Sequence, residues 1–344
     1  MHRQRAMQVA AVLAVSALAI AGCGGSSKGG STSSTKKSIK VGLAYDIGGR
    51  GDKSFNDAAV AGLDRAKKEL NVTTKELTAT GGESDAAKET RLRLLAEGGF
   101  NPVVAVGFAY APALKKVAAK YPKTKFAIID STDATGDNIS NLVFAENEGS
   151  FLVGAAAALK SKTHNVGFVG GVQVPLIEKF AAGYKAGVAA VDKNTKVQVK
   201  YLTQPPDFSG FGDPAKGKTA AEGMYDAGAD IVFAAAGGSG TGVFQAAKAK
   251  SKLAIGVDSD QYQSASPDLK PVIMTSMLKR VDNAVFTFIK DFTNGTLKAG
   301  PKVFNLKVDG VGYSKSGGKV DDIASKLDDF KKQISDGKIT VPEK

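Results

Sequence analysis

The sequence predicts an α/β protein with two lobes, each built on a parallel β-sheet with helices on both faces. Short apolar, β-branched runs alternate with helix-period segments after residue 38, which is typical of parallel α/β sheets. The runs are apolar almost throughout, as expected for strands that are covered on both sides. The 344-residue chain also exceeds a single domain of about 150 residues, which favours two lobes.

Each predicted element follows from this alternation. The predicted strands are 39–45, 103–108, 125–129, 165–169, 197–202, 231–235, 253–257 and 272–277. The predicted helices are 56–69, 86–96, 112–120, 149–160, 176–191, 215–227, 243–250 and 282–293. Ligands of open α/β sheets bind outside the carboxyl ends of the strands, so the residues that follow each strand are the candidate site.

The N-terminus has the composition of a secretory signal. Arg3 and Arg5 precede an apolar run over residues 6–21, which is shorter than the roughly 20 apolar residues of a membrane span. Residues 19–23, Ala-Ile-Ala-Gly-Cys, resemble the lipobox of bacterial lipoproteins. This resemblance implies that residues 1–22 are a signal peptide and that Cys23 carries acyl chains such as palmitate. The alternative is that Cys23 is a small buried thiol.

Residues 23–37 are expected to form a lipidated, flexible tether. Positions 24–37 contain only Gly, Ser, Thr and Lys, which bury too little apolar surface to fold. The formal net charge of +12 comes from 46 Lys and Arg against 34 Asp and Glu. Because the basic residues are scattered, they favour a solvated surface over a nucleic-acid stripe. Attraction to anionic lipids or wall polymers is the alternative.

Polar residues and glycines follow several predicted strands. Asp46 follows the first strand, and Ser54 with Asp57 matches an N-cap and a weak capping box. Capping does not explain Phe55, an aromatic residue in the first helical turn. The glycine-rich segment 237–242 follows another strand, where its N–H groups either meet a ligand oxygen or form a tight turn.

A phosphate-loop pattern is also present, but its context argues against phosphate binding. Residues 212–219 read G-D-P-A-K-G-K-T, whereas a phosphate loop follows its strand directly and the strand here ends near Thr203. Pro214 is better explained as the first residue of a helix that Asp213 caps. His164 is the only histidine after the signal, which argues against a histidine metal cluster or a catalytic Ser/His pair. We expect no enzyme activity, cofactor or metal.

Six segments stand in the same order as the motifs of a known family. They are V-G-L at 41–43 with Asp46, D-K-S-F-N-D at 52–57, F-G-D-P-A-K-G-K at 211–218, A-G-G-S-G at 236–240, I-G-V-D-S-D-Q at 255–261 and T-S-M-L-K-R at 275–280. Together they resemble the basic membrane protein (BMP) family of bacterial lipoproteins, of the purine nucleoside receptor type. The resemblance implies a type I periplasmic-binding-protein fold and the role of a substrate-binding protein of an ABC transporter.

The resemblance also implies the residues of the binding site. Phe55 and Phe211 would stack on the two faces of a nucleobase, and such stacking contributes about 1–3 kcal/mol per base. Asp46 would hydrogen-bond the edge of the base, with Asn56 nearby. The ribose hydroxyls would be held by Asp258, Lys279 and the backbone of Gly237 and Gly238. The chain departs from the family at Pro112, where an Asp is common.

The implied function is a lipid-anchored receptor on the extracytoplasmic face of the bacterial cell membrane. It would capture nucleosides, purine nucleosides favoured, and deliver them to an ABC transporter permease, as a monomer and without a nucleic-acid partner. The alternatives are a sensor for a sugar or signalling molecule, a surface adhesin and a nucleoside hydrolase. The hydrolase lacks support because no Asp cluster with metal-ligand spacing lies near the N-terminus.

We also hypothesise how the chain is divided between the lobes. The N-terminal lobe would contain residues 38–146 and 281–310, and the C-terminal lobe residues 147–280. Residues 311–344 would form a tail that packs across the two lobes, and the lobes would close on the solute about a hinge.

Overall fold

Two six-stranded sheets organise residues 38–344, the part of the chain that the computed structural model describes. The strands of the first sheet are β1 (Lys40–Ala44), β2 (Thr73–Leu77), β3 (Val103–Ala105), β4 (Phe126–Ile129), β5 (Ile139–Phe144) and β11 (Gly300–Phe304). They are arranged β11-β5-β4-β3-β1-β2, and every neighbouring pair is parallel.

The second sheet repeats this arrangement with one antiparallel edge. Its strands are β6 (Asn165–Val172), β7 (Lys196–Thr203), β8 (Ile231–Ala235), β9 (Leu253–Asp258), β10 (Ile273–Lys279) and β12 (Val311–Tyr313). Their order is β12-β10-β9-β8-β6-β7, and only the pairing of β10 with β12 is antiparallel.

Helices cover both faces of the two sheets. They are α1 (Phe55–Leu70), α2 (Asp85–Glu97), α3 (Ala111–Lys120), α4 (Glu146–Lys160), α5 (Pro175–Val191), α6 (Pro214–Asp226), α7 (Gly240–Ala249), α8 (Gln261–Ser264), α9 (Val281–Thr293) and α10 (Ala324–Ser335). On the first sheet, Leu43 lies in one apolar cluster with Leu63 of α1 and Val285 of α9. The neighbouring Gly42 faces Leu95 of α2, since successive strand residues point to opposite faces.

The second sheet is covered in the same way. Phe168 of β6 packs on Tyr184 of α5, with ring centroids 6.1 Å apart. The next strand residue, Val169, lies in a separate apolar cluster with Met224 of α6 and Val243 of α7. Burial of both faces explains why these strands are apolar almost throughout.

The predicted fold class is confirmed, and each predicted strand and helix is present. Strands β2, β5, β11 and β12 and helices α8 and α10 were not predicted. Strands β2, β11 and β12 lie at sheet edges, where half-exposed polar residues obscure the strand pattern. In β5 the apolar run is interrupted by Asn141, whose Nδ2 donates to the carbonyls of Ser131 and Ala134, both at 2.9 Å.

Four element boundaries were wrong by three residues each. The strand predicted over 165–169 continues to Val172, and the helix predicted to begin at residue 243 begins at Gly240. The strand predicted over 103–108 ends at Ala105, because Gly107 turns the chain at φ +102° and Phe108 begins a 3₁₀ turn. The helix predicted to begin at residue 149 begins at Glu146. The acidic residues Glu146 and Glu148 look like a loop in the sequence, but negative charge stabilises the first turn of a helix.

Some predictions stay untested by the fold. The signal peptide (1–22), the acylated Cys23 and the tether (24–37) lie outside the described residues. Within residues 38–344, no helix is long and apolar enough to cross a bilayer. The proposed boundaries between the lobes and the tail remain predictions.

Candidate functional site

A cleft of about 560 Å³, including its part open to solvent, lies at the carboxyl ends of strands from both sheets. Seven of the eight predicted binding residues line it: Asp46, Phe55, Asn56, Phe211, Gly237, Asp258 and Lys279. Gly238 does not line the cleft, although an added Cβ there would lie 3.9 Å from the Cβ of Asp52, which does. Pro112 is in the first turn of α3 and is also absent from the lining.

The loop before α1 is held together by Asp52, a residue that the sequence analysis did not select. Its carboxylate accepts the backbone N–H groups of Ser54, Asn56 and Asp57 at 2.8–3.1 Å. Asp52 therefore caps α1. Burial raises the pKa of Asp52 to about 6, although these hydrogen bonds oppose the shift.

The predicted capping box at Ser54 and Asp57 is wrong. The Ser54 side chain makes no cap hydrogen bond to α1. Instead its Oγ donates to Oδ2 of Asp258 at 2.6 Å, across to the end of β9. The Asp57 carboxylate accepts the N–H groups of Gly51 and Lys53 at 2.8 and 3.0 Å. Ser54 does not cap the helix because the Asp52 carboxylate, a stronger acceptor than a hydroxyl, takes the N–H groups of Asn56 and Asp57.

Asp46 and Asn56 form one hydrogen-bonded unit. Asn56 Oδ1 accepts the N–H of Asp46 at 3.0 Å, and its Nδ2 donates to Asp52 at 2.9 Å. The Asp46 carboxylate accepts only the N–H of Ile47, at 2.8 Å, among the described residues. Burial raises the pKa of Asp46 to about 6. Asn56 therefore fixes the loop, while Asp46 presents a carboxyl group to the cleft.

Glycine makes room for this carboxyl group. A Cβ added at Gly107 would lie 2.1 Å from Oδ2 of Asp46, and the φ of +102° at Gly107 is rare for other residues. The turn at Gly107 therefore shapes the site in two ways. It lets the backbone pass the Asp46 side chain, and it brings Phe108 to the cleft lining.

Aromatic rings form the apolar part of the cleft. Phe55, Phe108, Phe180 and Phe211 all contribute to its lining. The Phe211 ring is accommodated by Gly171 at the end of β6, where an added Cβ would lie 2.5 Å from Cδ1 of the ring. Phe108 and Phe180 were not selected from the sequence, because nothing in their local context distinguishes them from core residues.

The charged part of the cleft is a buried cluster around Lys279. The Lys279 ammonium forms an ion pair with Asp130 and lies 3.5 Å from Oε1 of Glu146. It also lies over the rings of Phe55 and Phe144, at 4.9 and 5.2 Å from their centroids. Burial alone would lower the pKa of Lys279, but Asp130, Glu146 and Asp258 outweigh burial and hold that pKa above its ordinary value.

Asp130 is the main site residue that the sequence analysis missed. Its side chain is only 4% exposed, and its Oδ1 is buried without a hydrogen-bond partner among the described residues. Burial raises the pKa of Asp130 to about 7. A buried, unpaired carboxylate oxygen is costly and indicates a site for a ligand donor. The available signal was its position directly after β4, like that of Asp46 after β1.

The phosphate-loop pattern at residues 212–219 is the start of a helix, as predicted. Asp213 accepts the N–H of Lys216 at 3.0 Å, and α6 begins at Pro214. The hydroxyl of Ser239 accepts the N–H of Asp213 and donates to the carbonyl of Gly210, both at 2.7 Å. The segment thus ties the Phe211 loop to the end of β8. Residues 38–344 contain no group of His, Cys, Asp and Glu side chains arranged to hold a metal.

Comparisons with known proteins agree with this geometry. The family model described as Bmp, ABC transporter substrate-binding protein PnrA-like, matches residues 39–344. The ABC transporter nucleoside-binding protein BmpA of Lactococcus lactis is 34% identical, covering 99% of this chain and 100% of that protein. An uncharacterized lipoprotein of Pyrococcus abyssi is 37% identical, covering 86% of this chain and 73% of that protein.

The structural comparison supports the same assignment. A solute-binding protein of an ABC transporter system from Aeropyrum pernix superposes with a TM-score of 0.76 at 30% identity, covering 89% of this chain and 94% of that chain. This confirms the type I periplasmic-binding fold. The family is one of substrate-binding proteins, as expected of a chain predicted not to be an enzyme. Because the family model spans nearly all of the described residues, the chain belongs to the Bmp family of PnrA-like ABC transporter substrate-binding proteins.

Proposed function

We propose that this substrate-binding protein captures nucleosides, purine nucleosides favoured, and delivers them to an ABC transporter permease. The observation that carries the proposal is the composition of the cleft. Aromatic rings line one part of it, and Asp130 Oδ1, a buried carboxylate oxygen with no partner among the described residues, lies in the other. A nucleoside has matching parts, a flat base and a sugar with hydroxyl donors. The Lactococcus lactis relative is named as nucleoside-binding.

The base would bind at the aromatic part of the cleft. Phe55 and Phe211 would stack on its faces, and Asp46 would meet its edge. Asp46 suits this role because its carboxyl group has only one internal hydrogen bond among the described residues. Asn56 would act by holding the Asp46 backbone, since both ends of its amide are engaged within the loop.

The ribosyl hydroxyls would bind at the charged part of the cleft. Asp130 Oδ1 supplies an acceptor, and Lys279 supplies the donors. Asp258 would accept a second hydroxyl, and the backbone at Gly237 and Gly238 would complete the site. Hydrogen bonds to charged groups contribute about 1.5–3 kcal/mol, which favours a nucleoside over a free base.

Capture would proceed by closure of two lobes, as in hinged binding proteins. Hydrogen bonds already connect a loop of the first sheet with residues that follow β9 of the second. The carbonyl of Lys53 accepts the hydroxyl of Ser259 at 2.9 Å and the Nε2 of Gln261 at 3.0 Å. The Ser54–Asp258 hydrogen bond lies beside them. These bonds would stabilise the closed form around a bound solute.

Acyl chains on Cys23 would hold the receptor at the extracytoplasmic face of the membrane. The support is the lipobox-like segment before Cys23 and the description of the Pyrococcus abyssi relative as a lipoprotein. Labelling with a palmitate analogue tests this directly. We expect label on the wild type and none on Cys23→Ala, and label on both proteins would contradict the anchor.

Isothermal titration with adenosine, guanosine, inosine, cytidine and uridine tests the ligand. We expect heat of binding from the purine nucleosides first and weaker binding of the pyrimidine nucleosides. Ribose and free hypoxanthine serve as controls for the two halves of the ligand. Absence of binding to every nucleoside at millimolar concentration would refute the nucleoside proposal.

A further inference from the structure

A buried carboxylate behind the cleft contacts the site lysine. The Glu146 side chain is 2% exposed and is not part of the cleft lining. Its Oε1 lies 3.5 Å from Nζ of Lys279, and its Oε2 lies 3.1 Å from Nζ of Lys179 on α5. A fully buried carboxylate is rare unless it is paired, and Glu146 is paired with both lysines.

Lys179 is held independently of the cleft. Its ammonium donates to the carbonyl of Phe144 at 2.9 Å and lies 3.5 Å from Oε1 of Glu343 near the C-terminus. The same region is tied down by Asn147, whose Nδ2 donates to the carbonyl of Val341 at 2.8 Å. Contacts on the side away from the cleft therefore hold the Glu146 carboxylate in place beside Lys279.

Lys279 faces more carboxylates than one ammonium can neutralise. One ammonium on β10 faces three carboxylates from other elements: Asp130 after β4, Glu146 on α4 and Asp258 at the end of β9. If Lys279 contacted Asp130 alone, the ammonium would neutralise the charge of the Asp130 carboxylate. Glu146 shares the ammonium, so Lys279 should neutralise Asp130 less completely, and Asp130 Oδ1 has no hydrogen-bond partner within residues 38–344.

We propose that Glu146 is a positioning residue that sets affinity for the hydroxyl groups of the ligand. By sharing Lys279 with Asp130, it leaves Oδ1 of Asp130 a charged acceptor and orients the ammonium toward the cleft. Glu146 itself does not touch the ligand. This inference rests on the proposed nucleoside function.

The test compares Glu146→Gln with Glu148→Gln by titration of inosine into the purified protein at pH 8. Glutamine keeps the size of the side chain and an oxygen for Lys179 but removes the charge. Glu148 is a matched control, because it lies on the same helix and its Oε2 accepts the N–H of Leu306 at 2.9 Å, away from the cleft. We expect the Kd of E146Q to rise roughly tenfold and that of E148Q to stay within about twofold.

The pH profile of inosine binding separates this role from a purely structural one. The ionised carboxylate of Asp130 is a stronger acceptor than its protonated form, so wild-type binding should weaken as the pH falls below about 7. Burial is the largest cause of the raised pKa of Asp130, Lys279 opposes it, and Glu146 and Asp258 raise it further. Removing the Glu146 charge should therefore shift the acid midpoint to lower pH. Glu146→Asp keeps the charge and should return the midpoint toward the wild-type value.

The outcomes distinguish this inference from the proposed function. If the wild type binds no nucleoside, the proposed function fails and this inference with it. If the wild type binds and E146Q shows either an unchanged Kd at pH 8 or an unmoved midpoint, only the role of Glu146 is refuted. Should E146Q fail to fold, E146D carries the test: its shorter side chain should raise the Kd at least threefold, and a wild-type Kd would overturn the inference.

Discussion

The two parts of the cleft are built in different ways. The loop from Asp46 to Asp57 is held mainly by hydrogen bonds among its own residues: Asp52 caps α1, and Asn56 joins Asp46 to Asp52. The charge cluster has no such local structure. Asp130 and Glu146 belong to the first sheet and the helix that follows it, and Lys279 ends β10 of the second sheet.

This difference explains how each part can fail. A substitution in the loop should remove one hydrogen bond and leave the others in place, because each bond is formed by a different pair of nearby groups. The cluster is an assembled set of buried charges, so loss of one member leaves the others uncompensated. The predictions below contrast the two parts.

Lys279→Met should have the largest effect. It leaves Asp130, Glu146 and Asp258 without their shared cation, which should lower the free energy of unfolding by about 3–5 kcal/mol and abolish nucleoside binding. Lys302→Met is the matched control, because the Lys302–Asp291 pair is half-exposed and such pairs contribute about 0–1 kcal/mol. Urea unfolding of both variants measures this, and equal losses would show that the cluster is not cooperative.

Asp46→Asn should change how stability depends on pH. The folded-state pKa of Asp46 is raised from 3.8 to about 6, so the folded protein binds a proton that the unfolded chain has lost between these values. This group thus stabilises the fold below pH 4, and that stabilisation is lost as the pH rises to 6. The wild type should lose about 2 kcal/mol over that range through Asp46.

The D46N variant should lack that component of the slope. Urea unfolding at pH 4, 5 and 6 compares the two proteins, with the Ile47 N–H still accepted by the asparagine oxygen. Parallel slopes would show that Asp46 is not the group responsible.

Phe211→Ala should weaken nucleoside binding by about 2 kcal/mol, or roughly thirtyfold in Kd, through loss of stacking. Phe330→Ala is a matched control, because Phe330 packs edge-on against Phe151 at 5.4 Å and is not among the cleft residues. It should reduce stability without changing the Kd. Titration and thermal melts of both variants test this, and an unchanged Kd for F211A would exclude Phe211 as a stacking ring.

Ser54→Ala should have the smallest effect, because it removes one hydrogen bond between the two parts of the cleft. Loss of the bond from Ser54 Oγ to Asp258 should cost about 1.5 kcal/mol of stability and raise the Kd for inosine. Ser84→Ala removes a hydroxyl whose 3.3 Å bond to the N–H of Ala87 caps α2. It should lower stability by about 1 kcal/mol and leave the Kd unchanged. Equal Kd values in both variants would argue against a role for Ser54 in binding.

The sequence predicted the site most successfully where a residue follows a recognisable strand or belongs to a family motif. Asp46, Asp258 and Lys279 were selected in that way, and all three line the cleft. Asp130 follows β4 by the same rule but stands in no quoted motif and was missed. Glu146 was missed because its helix was predicted to begin three residues later.

The Ser54 hydroxyl shows the limit of local inference. Its position before α1 is that of an N-cap, yet it donates to a carboxylate 204 residues away. No pattern around Ser54 contains that information. Asp52 takes the capping role that the local pattern gave to Ser54.

The sequence by itself determined the fold class, the alternation of strands and helices, the family and seven of the sixteen residues that line the cleft. These follow from periodicity, from turn residues at strand ends and from short motifs, each of which is a pattern among neighbouring residues of the chain. Only the tertiary structure decided which buried polar groups meet: Lys279 with Asp130 and Glu146, and Ser54 with Asp258. The physical reason is that a buried charge is stable only beside a compensating partner, and here the packing of two sheets brings that partner from a distant part of the chain.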